Sequence, residues 1–324
     1  YTIHATVRDL NKKHSFAHLE KIAQASAGTL KLFKANLLEN GSFDDAMQGC
    51  EIVLHMASPF VVTNYKDAVK DIIEPAILGT ENVLNSVNKT ESVKRVVVTS
   101  SIASTYGDAV DILNTEHNEF DESHWNTTSS TTHQPYPYSK VMAERKAWDM
   151  AKAQDRWSLV CVNPALVLGP SLTPNTQSGS VEVLEQFANG MTLLGVPPMW
   201  NGIVDVRDVA DAHILAAFNE NASGRYIISG GSFSLLEMGK ILLNHFGQKF
   251  PFPRNQVPKK AFKLIGPVFG YSKDFIEKNM GYPIYFNADK SKKELGMSYR
   301  NIETSLTEHF QQLLDDGVVK KYIK

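Results

Sequence analysis

The first 165 residues alternate short apolar runs, rich in β-branched residues, with amphipathic segments of helical period. This alternation is typical of parallel strands joined by crossover helices. It predicts strands at 3–7, 29–33, 52–56, 95–99 and 159–163. Because these runs carry apolar residues on both faces, both faces of the predicted sheet are expected to be covered by helices.

The intervals between these runs predict helices near 16–25, 43–47, 68–87 and 141–153. The order changes after Asn163, where the stretch 168–180 is rich in Pro, Gly, Thr and Ser and predicts a loop. Residues 202–210 predict a return to the sheet followed by a helix, and 225–228 predict one more short strand. A final helix is predicted near 304–314.

Together these elements predict an α/β fold, a Rossmann-type doubly wound parallel sheet with a smaller C-terminal substrate lobe. Residues 1–165 and 202–229 are assigned to the dinucleotide-binding domain, and 166–201 and 230–324 to the substrate lobe. Such a fold begins with a strand, a glycine-rich turn and a helix whose N–H groups bind pyrophosphate. Tyr1 instead opens on what resembles the second strand, so we expect roughly thirty further residues upstream, carrying a G-x-x-G-x-x-G turn.

The charge balance and the hydropathy of the chain limit its partners. The formal net charge is -2, from 33 Lys and Arg against 35 Asp and Glu spread along the chain, so no basic stripe for nucleic acid is expected. No apolar stretch approaches the ~20 residues of a membrane span and no secretory leader is visible, which favours a cytoplasmic location. Cys50 and Cys161 lie far apart without metal-ligand spacing, so neither a disulfide framework nor a bound metal is expected.

Tyr136 and Lys140 are four residues apart at the start of a predicted helical run. Residues at this spacing share one helix face, so an ammonium can lie close to a phenol. The positive charge is expected to lower the pKa of Tyr136 from ~10, which would make it a general acid for a developing alkoxide. Pro137 is expected to place Tyr136 at the beginning of the helix, facing a cleft. Taken alone, the pair is equally compatible with a half-buried Tyr and a solvated Lys.

Ser100 and Ser101 directly follow the apolar run 95–99, at the carboxyl end of a predicted strand, where open parallel sheets bind their ligands. A hydroxyl there can hydrogen-bond a substrate carbonyl oxygen and stabilise charge as it develops. Serines at strand ends also serve as turn or capping groups. The presence of Tyr136 and Lys140 favours the catalytic interpretation.

Four segments, in this order along the chain, carry a resemblance to a known family. They are L-H-M-A-S-P-F at 54–60, T-S-S at 99–101, Y-P-Y-S-K at 136–140 and N-P-A-L-V-L-G-P at 163–170. Together they resemble the dihydroflavonol reductase, cinnamoyl-CoA reductase and yeast methylglyoxal reductase branch of the extended short-chain dehydrogenases/reductases. The resemblance covers nearly the whole chain.

This resemblance implies roles for individual residues. Ser101 would polarise the substrate carbonyl, Tyr136 would donate the proton, and Lys140 would also hydrogen-bond the nicotinamide ribose. Hydride would come from the cofactor, and no metal is needed. The implied cofactor contacts are Arg8, Lys12, Asn36, Leu37, Ala57, Tyr136, Lys140, Pro164 and Ala165.

The choice of cofactor depends on the end of the first visible strand. An acidic side chain there accepts a hydrogen bond from the ribose 2′-OH, whereas an Arg accommodates a 2′-phosphate, so Arg8 and Asp9 indicate opposite cofactors. The resemblance places Arg8 at the phosphate with Lys12 as a second cation, which favours NADPH. Asn36, before Leu37, stands where relatives usually carry Asp, and its amide can still hydrogen-bond the adenine amine.

The sequence therefore predicts an NADP-dependent oxidoreductase that reduces a ketone or aldehyde to the alcohol. Apolar residues near strand ends or in the variable lobe are the predicted substrate contacts, although core packing explains each equally well: Phe60, Ile102, Met199 and Trp200. A lobe rich in Pro, Phe, Met and Trp favours an apolar or aromatic substrate. The predicted partner is this small carbonyl compound, without nucleic acid or membrane, and the protein is expected to be a monomer or homodimer.

Two alternatives belong to other functional classes. A NAD-dependent sugar-nucleotide epimerase or dehydratase on the same scaffold needs basic residues for a diphosphate, and 171–199 contains no Lys or Arg. A non-catalytic, cofactor-sensing protein would keep the fold without turnover. Such proteins typically lose the Tyr or the Lys, and both are present here.

Overall fold

The computed structural model describes residues 1–58, 65–174 and 178–320. Within these ranges the strands are β1 (Thr2–Val7), β2 (Thr29–Lys34), β3 (Ile52–His55), β4 (Arg95–Thr99), β5 (Ser158–Pro164), β6 (Leu166–Leu168), β7 (Trp200–Asp205), β8 (Gly224–Ile228) and β9 (Gly231–Ser234). The α-helices are α1 (Ala17–Gln24), α2 (Asp44–Met47), α3 (Glu74–Lys89), α4 (Pro135–Lys152), α5 (Gly179–Ala188), α6 (Val206–Phe218), α7 (Leu235–Phe246), α8 (Lys259–Ile265), α9 (Lys273–Asn279), α10 (Asp289–Leu295) and α11 (Ile302–Asp315).

The first compact unit contains residues 1–104, 129–163 and 213–225. In it β1 pairs with β2 in parallel, and β3, β4 and β5 form parallel ladders in a sheet of order β3-β4-β5-β8. Among the described residues, β1 and β3 belong to separate sheets. The parallel ladders and crossover helices make this a Rossmann-type α/β fold, as the sequence predicts.

Strand β4 forms the centre of this unit. Its β-branched residues favour the extended backbone, and Val96 and Val97, which point to opposite faces, are both fully buried. Full burial of such a side chain stabilises the fold by about 1.5–3 kcal/mol. Helices α3 and α4 pack against each other, and Val83 and Ala147 from them join the buried cluster that includes Val96. The carboxyl end of β4 is therefore held on a rigid support.

The second unit contains residues 105–128, 164–212 and 226–324. Its sheet has the order β6-β7-β9, with β6 and β7 parallel and β7 and β9 antiparallel. Residues of α5, α7 and α11, among them Leu184, Leu242 and Phe310, form its main apolar core. No helix in the described ranges is both long and apolar enough to cross a membrane.

Four segments that were assigned to the dinucleotide-binding domain belong to the second unit: 105–128, 164–165, 202–212 and 226–229. Strand β7 pairs with β6 and β9, so 202–205 lies in the second unit and not with the dinucleotide-binding strands. Residues 105–128 also cluster with the second unit, because Phe120 packs beside Ile284 and Phe286 in an aromatic cluster of that unit. The assignments of 105–128 and 202–205 depend on pairing partners distant in sequence.

Candidate active site

The predicted catalytic residues lie at the end of β4 and in the first turns of α4, both in the first unit. Helix α4 begins at Pro135, after Gln134 in the left-handed region at φ 52°. The helical period predicted this helix from 141, whereas the Tyr136–Lys140 spacing and Pro137 predicted that it begins near Tyr136, as the structure has it. Pro135 and Pro137 are accommodated since first-turn N–H groups have no partner within the helix. Tyr136 is therefore in the first turn itself, where it is half-buried.

Lys140 is the buried cation of the site, with only 8% of its surface exposed. Its Nζ donates a hydrogen bond to Ser58 Oγ at 2.9 Å and lies 5.5 Å from the centroid of the Tyr136 ring. Burial lowers the pKa of Lys140 to about 8 because the low-dielectric surroundings disfavour its charged form. The predicted proximity of ammonium and phenol is thus present.

The predicted lowering of the Tyr136 pKa by this ammonium is outweighed by burial. Burial raises the pKa of Tyr136 to about 12, whereas the spacing of the pair predicted a lowered value. The reason is physical: removal from water disfavours the phenolate, and the Lys140 ammonium is directed to Ser58. Tyr136 therefore stays protonated throughout the neutral range in this structure.

The two serines after β4 have different environments. Ser100 is buried, and its hydroxyl donates a short hydrogen bond to the Glu144 carboxylate. Ser101 is half-buried, and its Oγ accepts a hydrogen bond from the Ala103 N–H at 3.1 Å. The Ser101 O–H makes no hydrogen bond to another described residue, so its proton can be donated to a ligand. The hydroxyl of Ser100 is committed to the protein interior.

A small pocket adjoins Lys140 in the same unit. Its walls come from the ends of β3 and β4, from α3 and from α4: His55, Ala57, Ser58, Thr80, Val98, Thr99, Ser100, Lys140, Ala143 and Glu144. Most of these side chains are small, and the cavity between them has a volume of about 10 Å³, enough for about one water molecule. Burial, together with the Lys140 charge, lowers the pKa of His55 to about 4. His55 is therefore a neutral wall residue near pH 7.

Arg8 and Lys12 lie on an exposed loop after β1, and neither side chain forms an ion pair or hydrogen bond with the described part of the chain. Asp9 accepts a hydrogen bond from the Asn11 N–H at 2.9 Å and so closes its own turn. The structure thus separates two residues that indicate opposite cofactors. Arg8 and Lys12 are therefore available to an anionic ligand, whereas one oxygen of the Asp9 carboxylate is hydrogen-bonded within the loop.

The segment after β2 is held by a residue that the sequence analysis did not identify. Asn82 on α3 donates hydrogen bonds to the carbonyl oxygens of Leu37 and Glu39, at 3.0 and 2.7 Å. Leu37 packs on the apolar cluster of this unit and lies close to Gly79, where an added Cβ would be 3.3 Å from the Leu37 side chain. Asn36 is exposed, and its Oδ1 accepts the Leu38 N–H at 3.1 Å.

The remaining predicted cofactor and substrate contacts lie in different parts of the fold. Ala57 lines the pocket beside Lys140, and Pro164 is the last residue of β5. Ala165 is buried, and its N–H donates to the Ile228 carbonyl oxygen in the second unit. Ile102 is 8% exposed and lies in a short 3₁₀ turn after Ser101.

Two of the predicted substrate residues have packing partners in the second unit. Met199 packs on a cluster of Phe262, Ile276 and Met280. Trp200 packs on the aromatic cluster that contains Phe120. Phe60 lies outside the described residues.

The residues present fit a dinucleotide at its two ends. Arg8 and Lys12 carry the charge that suits a phosphorylated ribose, and the Lys140 ammonium is a donor that suits the hydroxyls of the nicotinamide ribose. The described residues contain no strand, glycine-rich turn and helix in sequence that would bind the pyrophosphate between them. The donor groups at the two ends are therefore compatible in charge with the terminal groups of such a cofactor.

Comparisons with known proteins agree with this arrangement. Residues 1–229 match the family model described as the NAD dependent epimerase/dehydratase family. The cinnamoyl-CoA reductase CAD2 of Medicago truncatula is 37% identical over 97% of this chain and 88% of its own length. The dihydroflavonol 4-reductase of Gerbera hybrida is 32% identical over 84% of this chain and 75% of its own. Among solved structures, yeast methylglyoxal/isovaleraldehyde reductase Gre2 complexed with NADPH has a TM-score of 0.73 and 25% identity, covering 97% of this chain and 91% of that one.

The parallel sheet and the matching relatives define the class as an extended short-chain dehydrogenase/reductase. The chain belongs to the NAD dependent epimerase/dehydratase family, and its relatives make it an oxidoreductase that catalyses reduction. The resemblance found in the four sequence segments is confirmed.

Proposed function

We propose that this protein reduces a ketone or aldehyde to the alcohol with NADPH, with Tyr136 as the proton donor. The observation that carries the proposal is the arrangement around α4, where the Lys140 ammonium lies 5.5 Å from the Tyr136 ring. The Ser101 hydroxyl, at the end of the neighbouring strand, donates to no other described residue. A phenol, a cation and a free hydroxyl are the groups that protonation of a carbonyl oxygen requires.

The chemistry follows from these groups. NADPH, when bound, supplies the hydride. The Ser101 hydroxyl donates a hydrogen bond to the carbonyl oxygen and stabilises negative charge as it develops. Tyr136, with a pKa of about 12, remains protonated at neutral pH and is still a stronger acid than the alcohol product, so its proton passes to the alkoxide. The Lys140 ammonium then stabilises the phenolate that remains.

The preference for NADPH rests on the exposed loop after β1. Arg8 and Lys12 have no ion-pair partner in the described ranges, and one oxygen of the Asp9 carboxylate is engaged in its own turn. A guanidinium and an ammonium favour the 2′-phosphate, which NADH lacks. The structural relative Gre2 is described in complex with NADPH, which supports the same choice.

The proposed substrate is an apolar or aromatic carbonyl compound. Two relatives are named for a cinnamoyl thioester and a dihydroflavonol, both of which carry aromatic rings. We place the reaction in the cytoplasm and its partner among small molecules, with the protein acting as a monomer or homodimer.

The test uses the full-length protein with a panel of aryl ketones and aldehydes, and it follows NADPH oxidation by absorbance. Tyr136→Phe is expected to lower kcat by roughly 10²- to 10⁴-fold, because the phenol proton is lost while the ring remains. Tyr138→Phe is the matched control, since it removes a phenol from the same helix turn, and it should keep the parent rate. A Tyr136→Phe variant that oxidises NADPH as fast as the parent would reject Tyr136 as the donor.

The same experiment separates the alternatives. A sugar-nucleotide epimerase would convert its substrate with bound NAD and without net consumption of NADPH. A cofactor-sensing protein would bind NADPH and turn over no member of the panel. Either result would reject reduction as the function.

A further inference from the structure

Behind Ser101 lies a buried carboxylate that the proposed reaction does not use. Glu144 is on α4, and its side chain is fully buried. Its two oxygens accept hydrogen bonds from groups on four separate segments of the first unit: Ser100 Oγ, Ser104 Oγ at 2.6 Å, Asn163 Nδ2 at 2.9 Å, Arg225 Nε at 2.6 Å and Trp148 Nε1 at 3.2 Å. This carboxylate is the centre of a polar network within an otherwise apolar core.

The charge of Glu144 is compensated within that core. Arg225, at the start of β8, is also almost completely buried, and its guanidinium contacts both Glu144 and Ser104 Oγ. Removal of one partner from such a pair leaves an uncompensated buried charge, which is strongly unfavourable. The pair therefore connects α4 to the first residues of β8 through a buried ion pair.

The network reaches the backbone of Ser101. The Asn163 amide donates to the Ser101 carbonyl oxygen at 3.2 Å and to Glu144 at 2.9 Å. The Ser104 hydroxyl lies 2.7 Å from the same Ser101 carbonyl oxygen and 2.6 Å from Glu144. The side chains of Asn163 and Ser104 thus connect the Glu144 carboxylate to the backbone carbonyl of Ser101.

Glu144 also shares a helix face with the proton donor. Tyr136, Lys140 and Glu144 follow one another at intervals of four residues, so they lie one above the other on α4. Glu144 and Lys140 line the same pocket. A single buried carboxylate thereby fixes both the helix face that presents Tyr136 and Lys140 and the loop that presents Ser101.

We propose that Glu144, paired with Arg225, is a positioning residue that sets the place of Ser101 relative to the Tyr136 and Lys140 face of α4. It touches neither substrate nor cofactor in this assignment, and it acts through Ser104 and Asn163. The inference rests on the proposed reductase function. Misplacement of a reacting group by ~1 Å costs roughly 10²-fold in rate, so a role of this kind has a measurable effect.

The first test is Glu144→Gln, which keeps the size of the side chain but replaces an acceptor by a donor facing Ser100, Ser104, Asn163 or Arg225. We expect kcat for the carbonyl substrate to fall by about 10- to 100-fold, with KM for NADPH changed by less than about 3-fold. Asp44→Asn is the matched control, because Asp44 also binds a serine hydroxyl and a lysine, Ser86 and Lys89, in the same unit. It should keep the parent kcat.

The second test is a double-mutant cycle with Ser101→Ala, assayed at enzyme concentrations that resolve losses of roughly 10⁴-fold. If Glu144 acts through Ser101, the Glu144→Gln effect on kcat should shrink to less than about 3-fold once the Ser101 hydroxyl is absent. A merely structural role predicts that the two losses multiply, and that result would overturn the proposal.

The cycle remains informative if Glu144→Gln does not fold. Ser104→Ala removes one bridging hydroxyl with little change in volume. Its effect on kcat is likewise expected to shrink to less than about 3-fold in the Ser101→Ala background. Multiplying losses there would also overturn the positioning role. Ser101→Ala alone tests the proposed function: parental kcat in that variant would reject the function itself, whatever the result at Glu144.

Discussion

The two ends of the proposed cofactor site differ in how they hold positive charge. Lys140 is 8% exposed, donates to Ser58 and has a pKa lowered by burial to about 8. Arg8 and Lys12 are exposed on a loop and pair with no described residue. All three belong to the same unit. The difference in burial decides what each charge can do.

A buried charge acts strongly on its neighbours because little water screens it, whereas an exposed charge acts through a screened field that weakens with ionic strength. Lys140 is therefore suited to change the acidity of a group it faces. Arg8 is suited to recognise an anion that arrives from solution. We expect changes at the buried end to alter kcat and changes at the exposed end to alter the preference between cofactors.

Between these two ends of the site, the largest expected effect is at Lys140. Lys140→Met keeps an unbranched side chain but removes the ammonium that stabilises the phenolate, so kcat should fall by roughly 10²- to 10³-fold. Lys146→Met on the same helix is the control, since Lys146 forms only a partly exposed ion pair with Glu81 at 3.4 Å. The measurement is NADPH oxidation at saturating substrate. Equal rates in the two variants would remove the distinction between the buried and the exposed cations.

The pH dependence of the reaction sharpens the same distinction. Lys140 is charged below its pKa of about 8, so kcat/KM for NADPH should be constant at lower pH and fall by about tenfold per pH unit above it. Tyr136, with a pKa of about 12, stays protonated over this range and therefore causes no change in kcat/KM with pH there. Lys140→Arg keeps its charge to higher pH and should lose the fall near pH 8, whatever its absolute rate. If kcat/KM for NADPH still falls above pH 8 in Lys140→Arg, the titrating group is not Lys140.

The sequence predicted what depends on local pattern. The β-branched runs placed β4 at the residues where the structure has it, and the spacing of Tyr136 and Lys140 placed both on one helix face. The helical period placed the beginning of α4 too late, at 141, because proline is unfavourable in most helical positions and acceptable in the first turn; the position of Pro137 had indicated the earlier beginning. The direction of the Tyr136 pKa was wrong because burial, which a sequence does not show, outweighs the neighbouring charge.

The polar network around Glu144 could not be predicted from the sequence. Glu144 follows Lys140 at helical spacing, which was visible, but its partner Arg225 is 81 residues further along the chain. Ser58 and Lys140 are separated by 82 residues. Charged residues on helices are usually solvated, so only the folded structure distinguishes a buried carboxylate with many donors from an ordinary surface glutamate.

The smallest expected effect is at the exposed end. Arg8→Ala should reduce the preference for NADPH over NADH by about 10- to 100-fold, since one charge-assisted hydrogen bond to a phosphate contributes about 1.5–3 kcal/mol. Lys12→Ala should reduce the preference by less, about 2- to 5-fold, as expected for a screened point charge. Binding is measured by titration with each cofactor, so the result does not depend on turnover.

The matched control for this loop is Lys34→Ala, which removes an exposed cation from the end of the neighbouring strand β2. It should leave the ratio of the two affinities unchanged. Raising the salt concentration should lower the NADPH preference of the parent and have little effect on Arg8→Ala, because the field that salt screens is then already absent. An unchanged ratio in Arg8→Ala would assign recognition of the 2′-phosphate to residues other than Arg8.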